Sequence, residues 1–309
     1  MKISNAIVEQ IALRLGFTLV GFTSAELLQK ETAFYRKWLN NGYGAEMEYM
    51  NRNIDKRANV KLVYHEARSV VSLGINYYVP LNHVDNEREG KISRYAWGKD
   101  YHLVLWNKLG ELIKELKTID AKFIGMSYVD TGPVMDKVWA VRSGLGWMGK
   151  HTNVINPAKG SWFFIAAIIT NYEFDQSNVV ADHCGTCTAC LDACPTSAFP
   201  SPYVLDARKC ISYQTIENMS DIPELLSGKF NGWIFGCDIC QDVCPWNKKF
   251  SFETGENEFF PADGKIAIAL SEVEAMTEKS FKEQFAESPI KRAKLKGLKR
   301  NAKFLKKNI

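Results

Sequence analysis

Apolar and polar positions along the first 180 residues follow two different patterns, and segments with one pattern alternate with segments that have the other. Apolar residues that recur every three or four positions predict helices, whereas short continuous apolar runs predict buried strands. The predicted helices cover residues 5–15, a segment after Ser24, 100–116 and 133–142. The predicted strands cover residues 18–22, 69–77, 122–129 and 162–170. This alternation predicts a sheet covered by helices.

The end of the chain has a different pattern. Residues 291–309 hold nine of the 39 lysines and arginines and no acid, so the rest of the chain has 30 basic residues against 35 acidic ones. Ser288 and Pro289 are typical of a helix start, and apolar residues then recur every three or four positions up to Ile309. The pattern predicts a helix with one packed face and a basic ridge that suits a polyanion. A solvated lysine-rich end and a membrane-surface helix are the alternatives, and the lack of Trp weakens the second.

All eight cysteines lie in one segment. The first four form the run C-x2-C-x2-C-x3-C-P of bacterial ferredoxins, and the last three repeat the end of that run after an isolated cysteine. In two-cluster ferredoxins the fourth cysteine of a run ligates the other cluster, so we expect two [4Fe-4S] clusters. The expected ligands are Cys184, Cys187, Cys190 and Cys244 for one cluster and Cys194, Cys210, Cys237 and Cys240 for the other.

Zinc sites and disulfides also use paired cysteines. Zinc modules do not require the ending C-x3-C-P, which occurs here twice, and disulfide frameworks are typical of short secreted chains. The first twenty residues resemble an amphipathic helix and not a signal peptide. The longest apolar stretch, residues 161–172, is too short to span a membrane. We therefore expect reduced thiols, a cytoplasmic location and no membrane partner.

Two further motifs have competing interpretations. The glycines of residues 144–149 spell G-x-G-x-x-G, but they follow a predicted helix and not a strand, and His151 stands where a P-loop needs Ser or Thr. The pattern therefore disfavours a nucleotide site and favours close backbone packing. Asp130 lies at the end of a predicted strand and just before a helix that Pro133 is expected to begin. It is either a catalytic carboxylate or a helix-capping residue.

Several segments together resemble the epoxyqueuosine reductase family, which is similar to the reductive dehalogenases. The matching segments are residues 94–102, 128–133, 144–150, 184–195, 210–213 and 236–247. The resemblance implies an α+β or α/β fold with three parts. These are a nitroreductase-like cobalamin-binding domain at residues 1–180, a two-cluster ferredoxin-like module at 181–250 and a basic helical segment at 251–309.

The family's reaction reduces the epoxide of epoxyqueuosine, at the wobble position of a tRNA, to the alkene of queuosine, which is the last step of queuosine synthesis. The resemblance implies that electrons pass from two [4Fe-4S] clusters to cobalamin, and that Asp130 donates a proton. The positions that match the corrin pocket are Arg57, Ser93, Asp130, Val154, Asn156, Ile165 and Ser212. The basic residues expected to bind tRNA are Arg292, Lys294, Lys296, Lys299 and Arg300.

Other expectations concern ligands and partners. Asp100 and His102 resemble the start of a motif that supplies an axial histidine in other cobalamin enzymes, but Leu105 replaces its glycine, so no histidine is expected on cobalt. We expect a monomer that receives electrons from an unidentified low-potential donor. Longer relatives continue with helical repeats, so the tRNA-binding surface is expected to be smaller here or to be supplied differently. The alternatives are a corrinoid reductive dehalogenase and a stand-alone electron-transfer protein.

Overall fold

The computed structural model describes residues 2–307. The strands are β1 (Leu19–Ser24), β2 (Ser69–Asn76), β3 (Glu89–Ile92), β4 (Gly125–Tyr128), β5 (Trp147–Met148), β6 (Val154–Ile155), β7 (Phe163–Thr170), β8 (Trp233–Phe235) and β9 (Ala267–Ala269). The helices are α1 (Asn5–Arg14), α2 (Gln29–Asn40), α3 (Ile54–Ala58), α4 (Tyr101–Ile119), α5 (Asp136–Arg142), α6 (Ala189–Asp192), α7 (Ile211–Ile216), α8 (Ile239–Asp242), α9 (Pro245–Phe250), α10 (Leu270–Ala275), α11 (Glu278–Gln284) and α12 (Lys294–Lys306). No helix among these residues is long and apolar enough to cross a membrane.

The central sheet has the order β1-β2-β7-β4, and all its neighbouring strands are antiparallel. Helices α1 and α4 pack on one face, where Leu73 and Leu109 belong to the largest apolar core. Helix α5 packs on the other face, where Trp139 contacts the core around Val70. Because both faces are covered, β2 is buried at every position, including the polar Ser69, Ser72 and Asn76.

A second, smaller sheet has the order β8-β3-β9. Strand β3 pairs in parallel with β8 and antiparallel to β9. The three strands come from the three parts of the chain that the resemblance distinguishes, so this sheet connects them through backbone hydrogen bonds. The core beneath it also contains Leu295 and Leu298 of α12. The division at residues 180 and 250 stays a prediction.

The predicted elements of the first 180 residues are present, with ends that differ by a few residues. The mixed α/β fold class is confirmed, but the central sheet has none of the parallel pairs of a doubly wound α/β protein. The basic tail is helical in two pieces. The hydroxyl of Ser288 accepts a hydrogen bond from the backbone N–H of Ile290, and a 3-10 turn over Pro289–Ala293 precedes α12. Ile309, the last residue of the predicted apolar stripe, lies outside the described residues.

Cluster-binding cysteines and candidate active site

Four cysteines form what we call the outer group: Cys184, Cys187, Cys190 and Cys244. They lie on the loop before α6, on α6 and at the N-cap of α9, and they line one cavity of about 380 Å³. Cys187 is exposed, whereas Cys190 and Cys244 are buried. Burial, together with the nearby Cys244 and Cys184, raises the pKa of the Cys190 thiol to about 11. Four thiols around one cavity are the donor set that a [4Fe-4S] cluster requires.

The remaining cysteines form the inner group: Cys194, Cys210, Cys237 and Cys240. They come from the end of the first run, the N-cap of α7 and the start of α8, and each is half-buried. Burial raises the pKa of Cys240, and charge on Cys210 and Cys194 adds to the rise, so these thiols lie near one another. No three His, Cys, Asp or Glu side chains between residues 2 and 307 converge as ligands of one metal ion.

The glycine run packs the backbone beside the outer group. A Cβ atom on Gly146 would lie 2.1 Å from the carbonyl oxygen of Ile155, so only glycine permits this approach of the β5–β6 hairpin. Directly after the run, the Nζ of Lys150 donates to the carbonyl oxygens of Gly185 (2.6 Å) and Cys187 (2.9 Å). The segment that resembles a nucleotide motif therefore holds the cysteine loop in place.

Asp130 follows β4 in a left-handed conformation with φ of 57°. It does not cap α5, which begins at Asp136 with Met135 in the N-cap position and no side-chain cap. Its carboxylate Oδ2 accepts a hydrogen bond from the hydroxyl of Tyr101 (3.0 Å) and lies 4.0 Å from Nε2 of His102. The side chain is 69% exposed, so packing within the protein does not bury it. Asp130 is thus held by one hydrogen bond on an accessible turn.

A network of charges extends from His102 to the basic tail. The Nδ1 of His102 lies 2.8 Å from Oδ1 of Asp100, and the Nζ of Lys291 lies 2.8 Å from Oδ2 of the same carboxylate. Burial acts to raise the pKa of Asp100, but the hydrogen bonds from His102 and Lys291 outweigh it and lower the pKa to about 2. Asp100 therefore joins the tail to the surroundings of Asp130 as a charged group.

Two residues at the start of α5 were missed by the sequence reasoning. Burial, with the charge of Asp130, raises the pKa of Asp136 to about 7. The Oδ1 of Asp136 is buried without a hydrogen-bond partner in the described part of the chain. Burial lowers the pKa of Lys137, while charge on Asp130, Cys240 and Cys210 acts in the opposite direction. The Nζ of Lys137 donates to the carbonyl oxygen of Thr152 (3.0 Å) and to Oδ1 of Asn153 (2.8 Å), so Lys137 joins α5 to the turn before β6, and the helical pattern of residues 133–142 carried no sign of this.

Two of the predicted corrin contacts have their polar groups engaged within the protein. The Ser93 hydroxyl donates to Oδ1 of Asp238 (2.5 Å), the residue that follows Cys237. The Nδ2 of Asn156 donates to the carbonyl oxygen of Leu145 (2.7 Å). Both side chains are buried. The bond of Ser93 therefore supports the segment beside the inner group, and the bond of Asn156 supports the β5–β6 hairpin.

The other predicted contacts lie on separate elements. Ile165 is the one half-buried position of the otherwise buried strand β7, and Val154 is buried on β6. Arg57 lies on α3 and donates to two backbone carbonyl oxygens, and its charge acts on Asp136. Ser212 lies on α7, whose N-cap residue is Cys210, one of the inner cysteines. Arg57 therefore acts on α5, whereas Ser212 lies beside the inner group.

The basic residues of the tail fall into two sets. Arg292 forms a bidentate ion pair with Glu217, with both N–O distances at 2.8 Å. Arg300 donates to the backbone carbonyl oxygens of Gln214, Asn218 and Ser220 and so anchors α12 to α7 and to the segment after it. Four lysines of the tail have no carboxylate within 4.0 Å among residues 2–307: Lys303 and the predicted contacts Lys294, Lys296 and Lys299.

Comparison with protein families defines the class of protein first. Residues 183–247 match the model described as a 4Fe-4S double cluster binding domain, so the chain is an iron–sulfur oxidoreductase, and the zinc and disulfide alternatives are wrong. Residues 57–131 match the model described as epoxyqueuosine reductase QueG. The chain belongs to the epoxyqueuosine reductase family.

Individual relatives support this assignment over nearly the whole chain. The epoxyqueuosine reductase of Cellulophaga algicola is 46% identical over 295 residues, which cover 96% of this chain and 95% of that protein. A crystal structure of epoxyqueuosine reductase with an epoxyqueuosine-modified tRNA-Tyr stem loop matches with a TM-score of 0.90 and 32% identity, over 96% of this chain and 79% of that one. The Bacillus subtilis enzyme, described with its catalytic aspartate loop swung out of the active site, matches with a TM-score of 0.89 and 31% identity, over 96% of this chain and 79% of that one.

Proposed function

We propose that this chain reduces the epoxide of epoxyqueuosine in tRNA to the alkene of queuosine. The reaction consumes two electrons and two protons per epoxide and releases the ring oxygen as water. The observation that carries the proposal is a candidate site in which the accessible Asp130, held by the hydroxyl of Tyr101, belongs to the same chain as two groups of four cysteines. A proton donor and an electron-carrying centre would meet at this site, as the reaction requires.

The residues present suit the cofactors that the reaction needs. The outer and inner groups each supply the four thiolates of a [4Fe-4S] cluster. Around Asp130, the buried Nε2 of His102 and Oδ1 of Asp136 have no partner in the described chain, and the amide groups of a corrin could satisfy them. When bound, cobalamin supplies low-valent cobalt chemistry at the epoxide carbon. Its proposed contacts are Arg57, Ser93, Asp130, Val154, Asn156, Ile165 and Ser212.

In this proposal Asp130 gives a proton to the epoxide oxygen as the ring opens. The hydroxyl of Tyr101 donates a hydrogen bond to Oδ2 of Asp130, and this contact orients the carboxyl group. The related Bacillus subtilis enzyme has a catalytic aspartate on a loop that can swing out of its active site. The left-handed turn and the exposure of Asp130 support an equivalent mobile loop here. Asp100 and His102 border this turn and keep its surroundings polar.

The substrate is proposed to bind along the basic tail. A related reductase is known in complex with a modified tRNA stem loop. The proposed tRNA contacts are Arg292, Lys294, Lys296, Lys299 and Arg300. The three lysines are free of ion pairs within the described chain and suit phosphate oxygens, whereas the two arginines first hold the tail in place. Phosphate contacts make the affinity fall as salt rises. The cytoplasmic location and the monomeric state stay predictions.

The decisive experiment is anaerobic. Iron, sulfide and cobalamin are reconstituted into the protein, a low-potential reductant is added, and a modified anticodon stem loop is followed by mass spectrometry. We expect a cobalamin-dependent loss of one oxygen atom. Corrin binding without any change in the RNA would contradict the proposal and favour a different reducible substrate, such as an organohalide.

Asp130→Asn tests the proton donor. Turnover should fall by about a hundred- to ten-thousandfold, the usual contribution of a positioned general acid, with normal cluster content and tRNA affinity. Asp120→Asn is the matched control, because Asp120 is also an aspartate that accepts a hydrogen bond from a tyrosine, Tyr172, away from the cysteine groups. Equal turnover in the two variants would remove Asp130 from the mechanism.

A further inference from the structure

The outer cysteine group lies beside a surface that the proposed reaction does not use. Cys187 is exposed, whereas the other cysteines are half-buried or buried. Helix α9 follows Cys244 and carries Lys248 and Lys249, both exposed. Lys249 and Phe250 also line the cavity of the outer group. An electron that enters the protein at the outer group would therefore cross this surface.

Basic and aromatic side chains of α9 and of the segments next to it form a surface that we call the α9 face: Lys159, Lys248, Lys249, Phe250 and Phe252. The Nζ of Lys249 lies 5.0 Å from the ring centre of Phe250, and the Nζ of Lys159 lies 4.8 Å from that of Phe252. Phe252 is 39% exposed, so its ring is accessible from solvent. Cations above accessible rings form a surface that is both apolar and positive.

The charges around the face favour a negative partner. None of its three lysines has a carboxylate within 4.0 Å in the described part of the chain, whereas Lys291, Lys306 and Lys307 of the tail all do. The nearby acids are already engaged or lie at the edge. Asp182 accepts from Tyr203 and the Cys184 N–H, Asp192 accepts from Thr188, Asp242 pairs with Arg94, and Glu253 follows Phe252 in sequence.

We propose that the α9 face is the docking site of the electron donor, and that this donor is an acidic protein carrying one low-potential electron, of the flavodoxin or ferredoxin class. The inference rests on the proposed function, which needs an external source of electrons. Two reduced donor molecules bind in turn, and each is oxidised by one electron. The two electrons, with two protons, convert one epoxide to an alkene and one water. The apolar rings provide contact area, and the lysines steer the acidic donor towards Cys187.

The test compares Lys248→Glu/Lys249→Glu with a variant of equal charge change in the C-terminal segment, Lys282→Glu/Lys303→Glu, which we call the tail variant. All four side chains are exposed, so both variants should fold. Reconstituted protein without tRNA is mixed with reduced flavodoxin, and the visible absorbance of the clusters is followed by stopped flow. Binding of oxidised flavodoxin is measured separately by calorimetry. Dithionite-reduced methyl viologen, a small cationic dye, serves as a donor that needs no docking face.

At low salt we expect reduction by flavodoxin to slow on the order of tenfold or more in the α9 variant, with weaker calorimetric binding. The tail variant should behave as the wild type, and the dye should reduce every protein at a similar rate. The difference should disappear near 1 M salt, where the Debye length is about 3 Å. Equal rates in both variants, or a loss confined to the tail variant, would overturn the proposal. A change in sedimentation of the α9 variant alone would also overturn it, since the face would then join two copies of this chain.

Because no tRNA is present in these measurements, their outcome does not depend on the epoxide reaction. If flavodoxin reduces the clusters through the α9 face and the RNA is unchanged, the docking site stands and the proposed substrate fails. If the RNA is reduced with the dye and the α9 variant accepts flavodoxin electrons normally, the substrate stands and the docking site fails.

Discussion

The two cysteine groups have the same donor set and opposite surroundings. The outer group comes mainly from one short run and includes the exposed Cys187. The inner group is assembled from elements far apart in sequence, and the buried Asp238, which follows Cys237, accepts a hydrogen bond from Ser93, one of the predicted corrin contacts. Solvent and free lysines border the first group, whereas buried ionisable groups border the second. The difference favours the outer group as the entry of electrons and the inner group as their exit to the site of reaction.

Removing one cysteine from each group should produce the largest difference in turnover between the two groups. Cys240→Ser should abolish turnover with any donor, because the inner cluster would be the last carrier before the reaction. Cys187→Ser should lower the iron content from about eight to about four atoms per chain and leave turnover with a small dye that reaches the inner cluster. Iron analysis and electron paramagnetic resonance check both results. Dye-driven turnover in Cys240→Ser would contradict the order of the two groups.

Paired tyrosines allow a smaller and more specific change. Tyr101→Phe removes the hydrogen bond to Asp130, and Tyr203→Phe removes the equivalent bond to Asp182 beside the outer group. A neutral hydrogen bond contributes about 0.5–1.5 kcal/mol, so Tyr101→Phe should lower the single-turnover rate by about two- to tenfold with little effect on substrate affinity. Tyr203→Phe should leave the rate unchanged. Rapid-quench measurements on the modified stem loop distinguish the two variants. Equal rates would show that the hydrogen bond from Tyr101 does not contribute to the reaction.

The buried acids near Asp130 predict a pH dependence of stability. The folded chain keeps a proton on Asp136 up to about pH 7, whereas the unfolded chain releases it near the ordinary value of 3.8, so stability should fall as pH rises through that window. Asp136→Asn should remove this slope. Asp100→Asn is the counterpart, because the pKa of Asp100 is lowered to about 2 and its contribution is complete above about pH 4 and lost as pH falls towards 2.

Urea unfolding at about pH 5 and about pH 8 separates the two effects. Asp136→Asn should gain stability relative to the wild type mainly at the higher pH, and Asp100→Asn should lose a similar amount at both. A gain by Asp136→Asn that is independent of pH would show that Asp136 is not protonated in the folded chain.

Local patterns predicted much of the architecture. The apolar run of residues 162–170 and the helical spacing of residues 100–116 correspond to β7 and α4, because each segment buries enough apolar surface to adopt one structure. The second sheet was not predicted. Its strands are three or four residues long and come from distant parts of the chain, so neither periodicity nor length marks them.

The candidate site shows the same division. Asp130 was selected from its motif, yet the choice between proton donor and helix cap needed the start of α5 at Asp136. Arg300 was selected for its charge, and the structure gives it three backbone carbonyl partners within the protein. Lys137 carried no sequence signal at all. A charge pattern does not reveal which charged side chains already form bonds within the protein.

The sequence by itself determined the cofactor class and the family, because the spacing of the cysteines and the adjoining prolines follow from the ligand geometry of iron–sulfur clusters within short segments. Only the tertiary structure decided which cysteine group faces solvent, which acids are buried beside Asp130 and which lysines stay unpaired. Those properties depend on how distant segments pack, and packing changes the solvation of a charge without changing the residue that carries it.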